Sequence, residues 1–77
     1  MLNFDLYAIY TTSDEFRGNI REYFTSFEDA MNHRLKYANW FCDYGDVYIY
    51  HYKANTVREC EQWHVLADGK IIEHYNF

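Results

Sequence analysis

Apolar and polar positions follow two periods along this chain, and the longest stretch at the helical period, residues 25–45, reads as its only substantial helix. Phe27, Met31, Leu35, Ala38 and Cys42 recur at steps of three and four, which is one face of a helix. Thr25 or Ser26 serves as N-cap, because a short side-chain oxygen there accepts from an open amide of the first turn. Thr25 and Glu28 have capping-box spacing, and Glu28 and Asp29 put negative charge at the positive helix end. Gly45 suits the left-handed residue that stops the helix. Arg34 falls on the apolar face. Its stem can pack there while the guanidinium reaches an edge or a carboxylate; the other reading is a functional cation sunk in a groove. His33, Tyr37 and Trp40 form a second ridge that points away from the core stripe. An exposed Trp–Tyr ridge has the composition of a binding hot spot, unless a loop or a dimer mate covers it.

Elsewhere the period is two. Residues 4–12 (FDLYAIYTT) read as a strand with apolar residues on both parities, as in a central strand. Residues 13–18 make a hairpin loop, and residues 19–24 (NIREYF) a second strand, with a short helical turn as the rival. Residues 46–53 (DVYIYHYK) alternate most cleanly. Val47, Ile49 and His51 take the side a helix can approach, and Tyr48, Tyr50 and Tyr52 form a row on the open side. After a turn at 54–57, residues 58–66 (RECEQWHVL) form another strand. Asp68-Gly69 signals a two-residue hairpin that sets Leu66 opposite Ile71, Val65 opposite Ile72, His64 opposite Glu73 and Trp63 opposite His74. Trp63 and His74 then share a face, expected to be that of Tyr48, although one bulge would invert it. The pattern predicts a single α+β domain, residues 1–77. A mostly antiparallel sheet of four to five strands carries one helix on one face (β-β-α-β-β-β) and leaves an aromatic face open.

Composition sharpens this picture. A chain of 77 residues buries only about 60–65% of its unfolded surface, and large aromatics raise the buried area per residue. Nine Tyr, six Phe and two Trp, 22% of the chain, exceed what such a core needs. With no Pro and three Gly, there is no linker composition. Apolar runs are too short to span a bilayer, and the first residues lack the regions of a signal peptide, so the expected location is cytoplasmic with no membrane partner. Cys42 and Cys60 are expected to be free, buried thiols; a disulfide or a reactive thiol are the alternatives. The net charge of −5 argues against direct nucleic-acid binding, which rests on Lys and Arg displacing counterions. It suits docking onto a basic protein surface.

Catalytic signatures are absent: there is no phosphate-cradling Gly loop, zincin pattern or nucleophile elbow. His33, His51, His64 and His74 lack metal-ligand spacing to each other or to the cysteines, so a metal site could arise only through space; no metal or cofactor is expected. His64 and Glu73 are a possible acid–base pair across the hairpin. Cys60 on the same strand could complete a Cys–His–Glu set, the basis of an alternative small-ligand or catalytic reading. The carboxylates are spread along the chain. They either keep the surface solvated or converge into an acidic face that imitates a nucleic-acid backbone.

A strand near the start (Leu6 to Tyr10), an acidic capped helix start (FTSFEDA, residues 24–30) and a Gly-Asp step into a meander (GDVYIY, residues 45–50) resemble, in layout and composition, the small phage-encoded anti-defence proteins. Several anti-CRISPR proteins of this kind are a short sheet with one helix. The resemblance covers most of the chain and carries over no functional residues. It implies a stoichiometric inhibitor, in the host bacterial cytosol, of a nucleic-acid-handling defence complex, often placed where DNA or RNA would bind. On this reading the partner is a protein with a basic nucleic-acid-binding surface, and the chain is not an enzyme. The contacting residues are expected to be Tyr37, Trp40, Tyr48, Tyr50, Tyr52 and Trp63, with Asp43, Asp46, Glu59 and Glu61 supplying charge. A homodimer that closes the aromatic face on itself is the remaining alternative, since one helix covers one face only.

Overall fold

The computed structural model describes residues 3–12, 21–41, 45–56 and 58–77. Strands β1 (Leu6–Thr11) and β2 (Arg21–Phe24) precede two helical segments, α1 (Phe27–Lys36) and α2 (Ala38–Phe41). Strands β3 (Val47–Tyr52), β4 (Glu59–Val65) and β5 (Ile71–Asn76) follow. Neighbours pair antiparallel throughout, in the order β2-β1-β3-β4-β5. This is the expected α+β class and element order, with the first strand inside the sheet. Because β2 and β3 both run against β1, they are parallel to each other, and the helical segments form the crossover such a pair requires. The expected loop at 13–18 and the start of the second strand lie outside the described residues.

Of the two candidate caps, Ser26 is the one used. Its backbone is extended (φ −141°, ψ 153°), and its Oγ accepts from the Asp29 amide at 3.1 Å. The helix is shorter than its periodicity predicts. Tyr37 (φ −110°, ψ 30°) breaks it, donating its amide back to the His33 and Leu35 carbonyls. The single turn of α2 then forms on the Tyr37 carbonyl, which accepts from Trp40 and Phe41 at 3.0 Å. This break corrects the buried stripe. Ala30, Arg34 and Phe41 are buried, with Phe27 and Met31 packed beside them, whereas Leu35 is 41% exposed. A stripe through Leu35 and Ala38 assumed one continuous helix; with the break at Tyr37, Phe41 is the buried residue of the second segment. Cys42 is outside the described residues.

Arg34 donates from Nε and Nη2 to the Val65 carbonyl, both at 3.4 Å, and its guanidinium lies 5.5 Å from the Phe41 ring. It ties α1 to the end of β4, the packed reading of the two weighed from the sequence. Ile9, Ala30, Phe41, Val47, Ile49 and Val65 make the core between helix and sheet. As the alternation predicts, Val47, Ile49 and His51 are buried beneath the helical layer and the Tyr row is turned outward. Gly45 has φ +79°, and a Cβ there would be driven into the Thr12 hydroxyl. That hydroxyl accepts from the Asp46 amide at 2.8 Å, so Gly45 shapes the entry into β3.

Two register shifts matter for function. At the β4–β5 turn, the Leu66 amide donates to Lys70 at 2.9 Å and Gly69 takes φ +89°. The connection is thus a three-residue loop with a left-handed Gly, in place of the two-residue hairpin expected from Asp68-Gly69. Val65 pairs with Ile71 and not Ile72, and a bulge at Ile72 restores the expected pairs His64–Glu73 and Trp63–His74. Between β3 and β4, His51 pairs with Glu61 but Tyr52 with Glu59, leaving Cys60 as an extra residue. Beyond that bulge the parity of β4 is inverted.

Candidate functional site

The face of the sheet opposite the helices is paved with tyrosine. Tyr10 and Tyr50, on adjacent strands, stack with centroids 5.4 Å apart and planes 17° apart. Tyr48 leans on Tyr50 at 6.4 Å and stacks on the buried His64 at 4.6 Å. Ala8, paired with Tyr23 on one side and Tyr50 on the other, is buried between them. Carboxylates edge the row. Asp46 and Glu73 flank His64 at 3.7 and 3.5 Å, and Tyr52 donates its hydroxyl to Glu59 at 3.3 Å. Arg21 lies over Tyr10 at 5.0 Å, with Tyr23 as a hydrogen-bond partner. Burial first, and then the neighbouring carboxylates, pushes the Tyr48, Tyr50 and Tyr52 hydroxyls above the usual phenol range. They stay neutral, amphipathic contacts at any physiological pH.

The helical side carries a polar cluster at the β3–β4 bulge. His51, only 8% exposed, stacks on Tyr7 (4.4 Å, 8°). Its Nδ1 lies 3.0 Å from Glu61 Oε1 and 3.3 Å from Cys60 Sγ. Its Nε2 lies 3.0 Å from Asp5 Oδ2, and Asp5 is held in turn by the Ala54 amide at 2.8 Å. The second Glu61 oxygen is 2.9 Å from His74 Nε2, whose ring stacks on Trp63 (5.1 Å, 12°). Cys60 also forms part of the wall of a cleft of about 560 Å³ shared with Lys53, Asn55, Thr56, Arg58 and Phe77.

The structure separates the residues singled out from the sequence. Tyr48, Tyr50 and Tyr52 share the open face with Asp46 and Glu59. Tyr37 and Trp40, 41% and 43% exposed, instead line a cleft of about 270 Å³ with Glu22 and His33 on the helical side. Trp63 does share a face with His74, but not with Tyr48. It pairs with Ile49 and packs 4.7 Å from Phe27, on the helical side. Glu61 lies on that side as well, bound to two histidines, and Asp43 is outside the described residues. The Cys60–His64–Glu73 constellation does not form: the bulge turns Cys60 toward His51, while His64 and Glu73 stay with the tyrosines. Tyr10, Tyr23 and Tyr75 were missed as contributors to the open face. The outward parity of Tyr10 in β1 was a usable signal, since it opposes Tyr48.

As chemistry, Cys60, His51 and Asp5 stand in the order of a nucleophile, its base and an orienting acid. Glu61 is nearer to the same Nδ1 than the thiol is, however, so it competes for the proton that thiol activation would move. The same convergence is a ligand set: His51, Cys60 and Glu61 offer nitrogen, sulfur and oxygen donors within 4.8 Å of one another.

Acid should weaken the fold through this network. The Ala54 amide and His51 lower the Asp5 pKa below its ordinary 3.8, and His51 and His74 lower that of Glu61 below 4.5. A carboxyl whose folded pKa is depressed contributes fully above its unfolded value, and the contribution is lost as pH falls through the folded value. Urea midpoints should therefore fall as the pH drops below about 4, and Glu61→Gln should flatten the fall. An unchanged acid limb in that variant would discount the network.

No helix is long and apolar enough to cross a membrane among the described residues. Compared with protein-family models, curated proteins and solved structures, the chain finds no match.

Proposed function

We propose that the chain is a non-enzymatic protein-binding module whose tyrosine face docks onto a basic, nucleic-acid-binding surface of a bacterial defence complex and inhibits it by occupying that site. The carrying observation is the face itself: Tyr10, Tyr48, Tyr50 and Tyr52 lie side by side on the uncovered side of the sheet, edged by Asp46, Glu59 and Glu73. Tyr supplies large, rigid contact area at low entropic cost and dominates binding hot spots. Carboxylates beside it draw in a positively charged partner and reject a nucleic-acid backbone. The net charge of −5 steers encounter with the same sign of partner. The likeness in layout to anti-CRISPR proteins names the kind of target.

A second copy of the chain is the competing occupant, because the helical segments cover the opposite face only. Affinity capture from a bacterial lysate, together with light scattering on the purified chain, tests the proposal. The expected result is a mass of 9.5 kDa in solution and recovery of a basic, nucleic-acid-handling protein that salt releases. Recovery of nothing, or of a metabolic enzyme, overturns it.

A further inference from the structure

We propose that His51 Nδ1, Cys60 Sγ and Glu61 Oε1 form a zinc site at the β3–β4 bulge, independent of the tyrosine face. Tetrahedral zinc with bonds of 2.0–2.3 Å sets its ligand atoms about 3.3–3.8 Å apart. Two of the three separations are already close to this, 3.0 Å from nitrogen to oxygen and 3.3 Å from nitrogen to sulfur. The third closes within the 4.8 Å that bounds the group. A mixed nitrogen, sulfur and oxygen set favours zinc over magnesium or calcium, which take oxygen ligands.

The surroundings point the same way. Both ring nitrogens of His51 face carboxylate oxygens at 3.0 Å, an arrangement in which only a doubly protonated ring donates to both. A metal on Nδ1 resolves this: Nε2–H still donates to Asp5, and the Nδ1 lone pair binds the ion. Asp5, fixed by the Ala54 amide, is then the carboxylate that orients a ligating imidazole, as zinc-bound histidines usually have. His74 holds the other Glu61 oxygen and plays the matching part for the carboxylate ligand. Tyr7 and Trp63 stack on these rings and fix their planes. The site owes its existence to the bulge, which turns the consecutive residues Cys60 and Glu61 to one side of β4. A fourth position is left to water entering from the cleft that Cys60 borders.

The test uses the reduced chain stripped with chelator and titrated with Zn²⁺, and separately with Co²⁺ as a spectroscopic probe. About one equivalent of Zn²⁺ should bind with micromolar or tighter affinity and raise the melting temperature by several degrees. Co²⁺ should give a tetrahedral visible spectrum with thiolate charge transfer. Cys60→Ser should abolish the charge-transfer band and weaken Zn²⁺ binding at least about tenfold, and Asp5→Asn should weaken it about 10–100-fold while keeping the band. Replacing the buried His51 endangers folding, so these two variants carry the test, each verified by circular dichroism. Failure of Zn²⁺ to saturate at about 100 μM, or equal affinity in Cys60→Ser, overturns the site; either result leaves the tyrosine-face proposal standing.

Discussion

Replacing Phe41 by alanine should lower the free energy of unfolding by about 3–5 kcal/mol, the cost of emptying a fully buried aromatic site. Phe41 is 0% exposed and belongs to the core between helix and sheet, with Trp40 and His33 rings 5.1 and 5.8 Å away and the Arg34 guanidinium over it. Domains of this size are stable by about 4–12 kcal/mol, at roughly 0.05–0.15 kcal/mol per residue. One truncation therefore removes a large share, and at the bottom of that range, about 4–5 kcal/mol, it removes nearly all of the stability. It also strips a neighbour from a buried cation. Urea unfolding followed by tryptophan fluorescence measures the loss, with an unchanged denaturant slope marking a stability effect alone. A loss under about 1 kcal/mol would mean that α2 is not anchored through this ring.

The second large effect concerns association. Neutralising the edge of the tyrosine face with Asp46→Asn, Glu59→Gln and Glu73→Gln should slow binding to the captured partner by about tenfold or more at low salt, with a much smaller change in dissociation. Asp46 and Glu73 side chains are 63% and 45% exposed. Their charges act mainly through the solvent field that guides encounter, and salt screens that field within about 10 Å. The variant's association rate should accordingly vary less with ionic strength than that of the parent chain. Surface-binding kinetics over a salt series provide the check, and identical salt slopes for both chains would remove charge from the account.

Local pattern carried most of the fold. The clean alternation from Val47 to Tyr52 placed His51 inward and three tyrosines outward, and the structure has them so. The helix start was legible because Ser26 is one of the few residue types that cap. What was not legible depended on single-residue irregularities. Nothing in the apolar spacing marks Tyr37 as a break, yet that break exchanges Leu35 for Phe41 in the core. The Cys60 bulge likewise has no local signature, because it answers to the pairing of β4 with β3. It nevertheless decides whether Cys60 meets His64 or His51, and hence which chemistry the thiol can enter. Asp5 joins that cluster from 46 positions away, a distance at which spacing rules say nothing.

The central claim, that the tyrosine face is the contact surface, is tested most directly by capture with the parent chain and Tyr50→Ala side by side. Tyr50 sits in the middle of the row, stacked on Tyr10 and touching Tyr48, and outside the core that holds the fold. Its loss should cost a hot-spot amount, about 2 kcal/mol or roughly 30-fold in affinity, with the circular dichroism spectrum retained. The account predicts that the parent chain retains a basic, nucleic-acid-handling protein and that folded Tyr50→Ala releases it at the first wash. Equal retention of that protein by both chains would contradict the claim and move the contact surface elsewhere on the molecule.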